Sequence, residues 1–238
     1  MKLNIRKMTC ASIFAMVFAL PGMVFNASPS FALTPDERLV SATEVVRGMV
    51  GQEDVGTMAD MVKGSHGVVI IPSFYKGAIG LGGSYGKGVV LRHDPLTGKW
   101  YGPSFMNITG MSYGLQIGFQ STALLLVISN KAGMEHFYGD TVKLGADVSV
   151  AAGPVGRSAG AATDANLKAS IYSYSISKGL FAGISLGGAV MATDEEANSS
   201  YWGAGNYNSR EILLKPATKN TVQPLLSSLM ALVEKAGK

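Results

Sequence analysis

The sequence predicts one α+β domain, in which a strongly curved, glycine-rich antiparallel β core is flanked by N-terminal and C-terminal amphipathic helices. Three observations lead to this fold class. The chain has 30 glycines among 238 residues, well above the usual share of ~7%, and they lie between apolar runs. Apolar residues recur with helical spacing near both ends and with strand spacing in between. No linker-like stretch interrupts residues 33–238, so we expect a single domain there.

The first 32 residues have the composition of a secretory signal peptide. A start with three basic residues leads into an apolar run at 8–20, and Ser30 and Ala32 provide the small residues of a cleavage site. The apolar run is shorter than the ~20 residues that a membrane-spanning helix needs, although a retained membrane anchor is the alternative. We expect residues 1–32 to be removed and residues 33–238 to be exported to the periplasm or the cell envelope.

Charge and cysteine content narrow the possible functions. The formal net charge is +4, but the first 32 residues hold three of the 20 basic residues and none of the 16 acidic ones. The remaining domain therefore balances 17 basic against 16 acidic residues, which gives no argument for nucleic-acid binding. The only cysteine is Cys10, within the leader. The exported domain would have neither disulfides nor thiol chemistry.

Helices are predicted at both ends of the domain. Thr34 is a typical N-cap, and Glu37 completes a capping box with it. Apolar residues then repeat every three or four positions until Gly51, where the first helix should end. A shorter helix should cover residues 54–62. The last helix should begin near Thr221 and continue almost to the C-terminus, because its apolar residues fall on one face.

The middle of the chain has the periodicity of strands. Residues 66–72 form a short apolar run that Pro72 should end. Two runs at 86–93 and 99–105 flank the turn residues 94–98, and together they predict a β-hairpin. Further strands are predicted at 111–119, 123–129, 142–152 and 167–177. Short helices are predicted at 131–137 and 193–201.

The stretch from Tyr172 to Gly188 is the centre of the predicted core. It is expected to form two strands joined at Lys178-Gly179, the second with glycine at close intervals. Glycine within a strand leaves room for another backbone or a ligand. A side chain at Gly183 should therefore clash, and Gly183→Val should destabilise the protein by ~1–3 kcal/mol. The similar run at 76–83 hints at an internal duplication, although glycine-rich strands also resemble one another by composition.

Catalytic motifs are weak in this sequence. Ser84 and Ser185 each lie in a G-x-S-x-G pattern, but a nucleophile elbow needs a strand before the serine, a helix after it and a histidine later in the chain. Ser185 has no later histidine. Ser84 has His136, yet a strand-like run follows it, so a serine hydrolase is kept only as an alternative. Scattered histidines and the lack of an acidic calcium loop predict no metal and no other cofactor.

Several blocks of the sequence occur in an order typical of one known family. One of them contains Ser-Lys-Gly-Leu-Phe-Ala-Gly at 177–183. The blocks are 100–105, 110–118, 144–149, 152–157, 174–183 and 197–203. They cover roughly residues 62–214 and resemble the SYLF domain family of lipid-binding proteins. The resemblance implies a non-enzymatic protein that binds lipid or a membrane surface; eukaryotic members are described as phosphoinositide- or actin-binding.

Three basic residues are the candidates for lipid binding. Lys76, Arg157 and Lys178 each stand next to a glycine, where a head group could approach the backbone. Because the domain is nearly neutral, binding to an anionic bilayer needs basic side chains gathered beside apolar ones, each worth about 1 kcal/mol. The alternative for each is a solvated turn residue. The expected partner is a phospholipid or membrane surface, with no nucleic acid and no identified protein partner.

A second class of function is a small outer-membrane β-barrel or a structural envelope protein. The leader, the high glycine content and the alternating strands favour it. Against it, the chain ends in an apolar helix and not in an aromatic-terminated strand, and the run at 123–129 is too uniformly apolar for a strand with one side facing a lumen.

Overall fold

The computed structural model describes residues 33–52, 55–79, 81–113, 118–154, 169–177, 180–203, 205 and 207–237. The predicted leader therefore lies outside the described residues. The helices are α1 (Pro35–Val50), α2 (Gly56–Lys63), α3 (Lys131–His136), α4 (Glu195–Trp202), α5 (Ser209–Leu214) and α6 (Gln223–Val233). The strands are β1 (Gly67–Ile79), β2 (Leu81–Asp94), β3 (Lys99–Tyr113), β4 (Gly118–Ile128), β5 (Thr141–Lys143), β6 (Val150–Ala152), β7 (Ile171–Ser177), β8 (Leu180–Gly183) and β9 (Val190–Thr193).

These strands form one curled sheet in the order β5-β9-β3-β2-β1-β4-β7-β6, with β8 also paired to β7. β6 runs parallel to β7, while the other strand pairs are antiparallel. β6 and β8 share one edge of β7, opposite its first and second halves respectively. The predicted α+β class, with a curled and mainly antiparallel core, is confirmed.

The first helix forms as its sequence predicts. The Thr34 N–H donates to Glu37 Oε2 at 2.7 Å, and the Glu37 N–H donates to Thr34 Oγ1 at 3.3 Å. This capping box satisfies N–H groups that have no partner within the helix. The helix ends at Gly51. Helices at both ends of the domain thus flank the sheet, as expected.

Both faces of the sheet are covered by apolar side chains, since successive strand residues point to opposite faces. Val68 and Ile70 of β1 face a core that α1, α2, α4 and α6 complete, whereas Val69 and Ile71 face a second core. The second core also takes Met134 of α3 and Leu213 of α5. This two-sided burial explains the solid apolar runs in β1 and β4.

Several strand predictions were wrong in their bounds. The single strand expected at 111–119 is instead the end of β3 and the start of β4, and β3 thus extends well beyond the predicted 99–105. β1 does not end at Pro72 but continues to Ile79, and its register against β2 shifts between Ile70 and Ser73. Pro72 therefore sits in an irregularity of the ladder, where a residue without an N–H is tolerated. The single strand expected at 142–152 is instead two short strands, β5 and β6, separated by a turn in which Gly145 has φ +86°.

The outer edge of β3 is completed by three different elements. β9 pairs with residues 106–109 of β3. At Phe105, the Asn198 side chain accepts from the backbone N–H at 2.8 Å and donates to the carbonyl at 3.1 Å. Trp202 Nε1 donates to the Pro103 carbonyl at 3.0 Å. The segment 215–217 then continues the edge through a hydrogen bond from the Ala217 N–H to the Trp100 carbonyl at 3.1 Å.

Candidate lipid-binding surface

Two hairpins turn at the same end of the sheet. β1 and β2 pair as far as Ile79 opposite Leu81, and β7 and β8 pair as far as Ser177 opposite Leu180. β3 ends and β4 begins at this end too, because β3 is antiparallel to β2 and β4 is antiparallel to β1. We call it the glycine end and define it by the described residues of these strands. They are 75–79, 81–85, 109–113, 118–122, 176–177 and 180–183.

The helix-covered face of the sheet becomes open at the glycine end. Val89 of β2 and Phe105 of β3 are fully buried beneath the helices. Further along the same strands and on the same face, Tyr85 is 42% exposed and Met111 is 74% exposed. Tyr75, also partly exposed, lies opposite Tyr85 in the adjacent strand. The helices thus leave a surface of aromatic and apolar side chains in contact with solvent.

Lys76 lies within β1 and not in a turn. Its neighbours across the ladder are Ser84 of β2 and Gln120 of β4. Its Nζ lies 5.4 Å from the centroid of the buried Phe74 ring, within the range of a cation–π interaction. The lysine stem therefore lies along the sheet, and the residue is half-buried.

Lys178 and Arg157 lie outside the described residues, but the end of β7, next to Lys178 in the sequence, is described. Ser177, which precedes Lys178, ends β7 at the glycine end. Thr122 of β4 donates to the Ile176 carbonyl at 3.0 Å and is also opposite Phe74 of β1. The end of β7 is therefore level with the part of β1 that carries Lys76.

The serine candidates do not form a nucleophile elbow. Ser84 lies inside β2, and its Oγ donates to the Gly110 carbonyl of β3 at 3.3 Å. Ser185 follows β8 and precedes β9, with no helix between them. An elbow requires a strand-to-helix turn at the nucleophile, so the geometry gives the hydrolase alternative no support. Across the part of the chain that the structure describes, no three His, Cys, Asp or Glu side chains gather as metal ligands.

A buried ion pair marks the boundary between the helix-covered part of this face and the glycine end. Arg38 of α1 donates to Asp194 at 2.6 Å, with side chains 3% and 12% exposed. Burial opposes ionisation of Asp194, but hydrogen bonds from Arg38 and from the Ala197 N–H outweigh it and lower its pKa. Asp194 also caps α4. Burial raises the pKa of nearby Tyr85, on which Arg38 and Asp194 have opposite effects.

Sequence reasoning missed this ion pair, although it assigned the acidic cluster at 194–196 to the start of a helix. The partners are 156 residues apart. A signal was nevertheless present, because Arg38 precedes Ala42, Val46 and Met49 at spacings of four, four and three. A charged residue on the apolar stripe of a helix needs a buried partner.

Comparisons with known proteins identify a family and several relatives. A family model described as "Ysc84: Las17-binding protein actin regulator" matches residues 109–236. LAS seventeen-binding protein 3 of Saccharomyces cerevisiae is 35% identical over 148 residues, 60% of this chain and 32% of that protein. Protein YSC84 of the same yeast is 33% identical over 178 residues, 73% of this chain and 36% of that protein. SH3 domain-containing YSC84-like protein 1 of Xenopus laevis is 34% identical over 129 residues, 54% of this chain and 38% of that protein.

The chain spans about a third of the length of these relatives. Actin regulation is named in the description of the family model, and Las17 binding is named there and in LAS seventeen-binding protein 3. The comparison therefore concerns the shared domain.

Proposed function

This chain belongs to the Ysc84 (SYLF) domain family, and from that premise we propose that it binds phospholipid at a membrane surface without performing catalysis. The glycine end is the proposed contact surface. Lys76, Arg157 and Lys178 supply the positive charge that meets anionic head groups. We further propose that residues 1–32 are a leader and that residues 33–238 act in the periplasm or cell envelope.

The observation that carries the proposal is the composition of the glycine end. Among its described residues Lys76 is the only charged one, and no carboxylate is present. Tyr75, Tyr85 and Met111 are exposed there. Aromatic rings with a polar edge favour the head-group region of a bilayer, and an apolar side chain gains free energy on leaving water. An end of the sheet that exposes these groups on one face and carries a cation on the other is suited to contact with an anionic membrane.

The face opposite the open one contributes Lys76. Ser177, the residue before Lys178 in the sequence, ends β7. β7 pairs with β4, and β4 pairs with the β1 strand that carries Lys76.

The test is sedimentation with liposomes that contain anionic phospholipid, at low and at high salt. Wild type is compared with the triple variant Lys76→Gln/Arg157→Gln/Lys178→Gln. Since each cation contributes about 1 kcal/mol near the membrane, the variant should bind ~100-fold more weakly at low salt. High salt should reduce the difference, because it screens these charges.

A charge-matched control uses three exposed lysines outside the glycine end. Lys63→Gln/Lys131→Gln/Lys143→Gln removes the same charge and should bind nearly as well as wild type. Equal and salt-insensitive binding by all three proteins would reject this basic cluster. No binding to any lipid tested would reject the membrane function itself. The intact mass of exported protein tests the leader, because cleavage after Ala32 predicts an N-terminus at Leu33.

A further inference from the structure

An apolar groove lies at the end of the sheet opposite the glycine end, between β3 and α6. Its volume is 440 Å³, within the ~300–1,000 Å³ range of small-molecule sites. The floor is made by Trp100, Ala217 and Leu226, which are buried, and Met230 at the rim is 52% exposed. Leu226 and Met230 lie one turn apart on α6, so both contribute to the groove. The groove is therefore a continuous apolar surface that remains open to solvent.

Backbone hydrogen bonds fix the walls of this groove. The Gly102 N–H donates to the Lys215 carbonyl at 2.9 Å, and the Ala217 N–H donates to the Trp100 carbonyl at 3.1 Å. Gln223 at the start of α6 donates its Nε2 to the Ala217 carbonyl at 2.9 Å. These bonds join the segment 215–217 to β3 on one side and to α6 on the other. The groove is pre-formed, which reduces the ordering cost of binding.

The hydrogen-bonding groups along the groove determine what kind of occupant fits. The Trp100 carbonyl accepts from the Ala217 N–H, and the Ala217 carbonyl accepts from Gln223. These backbone groups are therefore already paired and give an incoming peptide few hydrogen-bond partners. A peptide would leave its own backbone groups without partners, at a cost in free energy. An alkyl chain has no such groups. The flexible Met230 can adapt to a chain of irregular path.

The charge at the groove mouth determines the head group. Lys99 is the one charged residue that lines the groove, and no carboxylate lines it. Two nearby lysines, Lys215 and Lys219, do not line the groove. Lys215 Nζ lies 3.2 Å from the centroid of the Tyr207 ring, and Lys219 donates to the Tyr201 carbonyl. Lys99, which lies opposite Asp94 in the hairpin, is thus the cation beside the apolar floor.

We propose that this groove binds one acyl chain of an anionic phospholipid, with the lipid phosphate at Lys99. The chain lies on Trp100, Ala217 and Leu226 and is covered by Met230. This site is separate from the glycine end and does not depend on binding there. With both sites occupied, the protein would hold a single lipid at one end while its other end contacts a membrane.

The probe for this site is a lysophosphatidylglycerol with a brominated acyl chain, used below its micelle concentration. Bromine quenches a neighbouring indole, so the probe should quench tryptophan fluorescence saturably at one lipid per protein. Trp100→Phe should abolish most of the quenching, since the other tryptophan, Trp202, lies outside the groove lining. Glycerol phosphate, which has the head group without the chain, should not compete.

Variants at the groove rim separate the chain from the head group. Met230→Glu should weaken binding at least about tenfold, because the carboxylate borders the apolar floor and repels the phosphate. Leu214→Glu is the matched control, as Leu214 is 50% exposed and lies outside the groove lining; it should bind normally. Lys99→Gln should weaken binding of the anionic probe but not of the matching brominated monoacylglycerol, which has the same chain and no phosphate.

The proposal is overturned if the probe does not quench Trp100, or if Met230→Glu binds as tightly as wild type. If Met230→Glu does not fold, as judged by circular dichroism, Lys99→Gln decides the question. Equal affinities of wild type and Lys99→Gln for the anionic probe would overturn the proposal. The triple variant of the glycine end should bind the probe normally. Conversely, Met230→Glu should still sediment with liposomes, so failure of one proposal is distinguishable from failure of the other.

Discussion

The two ends of the long strands differ in what lies on them, although the strands are continuous. Under the helices, Val89, Leu91 and Phe105 are fully buried. At the glycine end, the same face of the same strands carries exposed Tyr85 and Met111. Burial of apolar area is what stabilises a fold, so the helix-covered part holds most of the stability. The glycine end is left free to change its contacts, as binding surfaces commonly are.

The boundary between the two regions should give the largest effect on stability. Asp194→Asn keeps a side chain that can cap α4 but leaves the Arg38 guanidinium buried without a carboxylate. Removing one partner of a buried ion pair costs ~3–5 kcal/mol, and we expect a loss of this size in urea unfolding. Glu195→Gln removes an exposed carboxylate from the same helix and should change stability by ~0.5 kcal/mol or less. A loss below ~1 kcal/mol for Asp194→Asn would show that the ion pair does not hold α1 on the sheet.

A glycine substitution should distinguish packed from open positions. A Cβ at Gly183 would lie 2.8 Å from the Gly153 carbonyl and 2.8 Å from the Ala152 Cβ, because β6 and β8 meet on one edge of β7. Gly183→Val should therefore lower the free energy of unfolding by ~1–3 kcal/mol. Gly83, in β2, has no atom within 4 Å of such a Cβ, so Gly83→Val should stay within ~0.5 kcal/mol of wild type. Equal melting temperatures of the two variants would contradict this difference.

The smallest effect is a pH dependence in the helix-covered region. His93 is buried, stacks on Trp100 at 4.2 Å between ring centroids and shares a 2.9 Å hydrogen bond with the Ser65 carbonyl. Burial lowers its pKa, although the bond to Ser65 acts the other way. The unfolded chain therefore takes up a proton near pH 6.5 that the folded protein still resists. Stability should fall as pH decreases below 6.5, by less than ~1.4 kcal/mol for each unit of pKa difference.

His93→Gln should remove this contribution, so that the free energy of unfolding changes less between pH 6.5 and 5. Asp194, whose pKa is also lowered, contributes at lower pH, because its stabilisation is lost only as the folded carboxylate takes up a proton below its usual value of 3.8. The two contributions are therefore separable by pH. An unchanged slope in His93→Gln between pH 6.5 and 5 would contradict the assignment to His93.

Local signals predicted much of this fold. The capping box of Thr34 and Glu37 and the turn at 94–98 each involve residues close in sequence, and both formed. Pro72 was misjudged, because the partner strands on both sides decide whether a ladder tolerates an irregularity. The pair of Arg38 and Asp194 and the groove between Trp100 and α6 depend on contacts across more than a hundred residues. Periodicity places Arg38 on the apolar face of α1, but it does not identify the distant residue that pairs with it.

The candidate site was predictable in part. The sequence indicated a glycine-rich region where two strands meet a turn, and the structure places the described parts of 76–83 and 177–183 at one end of the sheet. It did not indicate that Lys76 lies inside a strand beside the Phe74 ring. The proposed roles of Arg157 and Lys178 stay predictions. Sequence alone also missed the exposed Tyr85 and Met111, since alternation does not show where a covering helix ends.

The edge of β3 has a consequence for how the chain folds during synthesis. The Phe105 N–H donates to the side chain of Asn198, which is 93 residues later in the chain. The Trp100 carbonyl accepts from the Ala217 N–H, which is made later still. Until α4 and the following segment have been made, β3 presents unpaired backbone groups along that edge. Such an edge can pair with another nascent chain and start aggregation. Slow elongation between residues 105 and 217 should therefore favour aggregation, and a chaperone that covers β3 should counteract it.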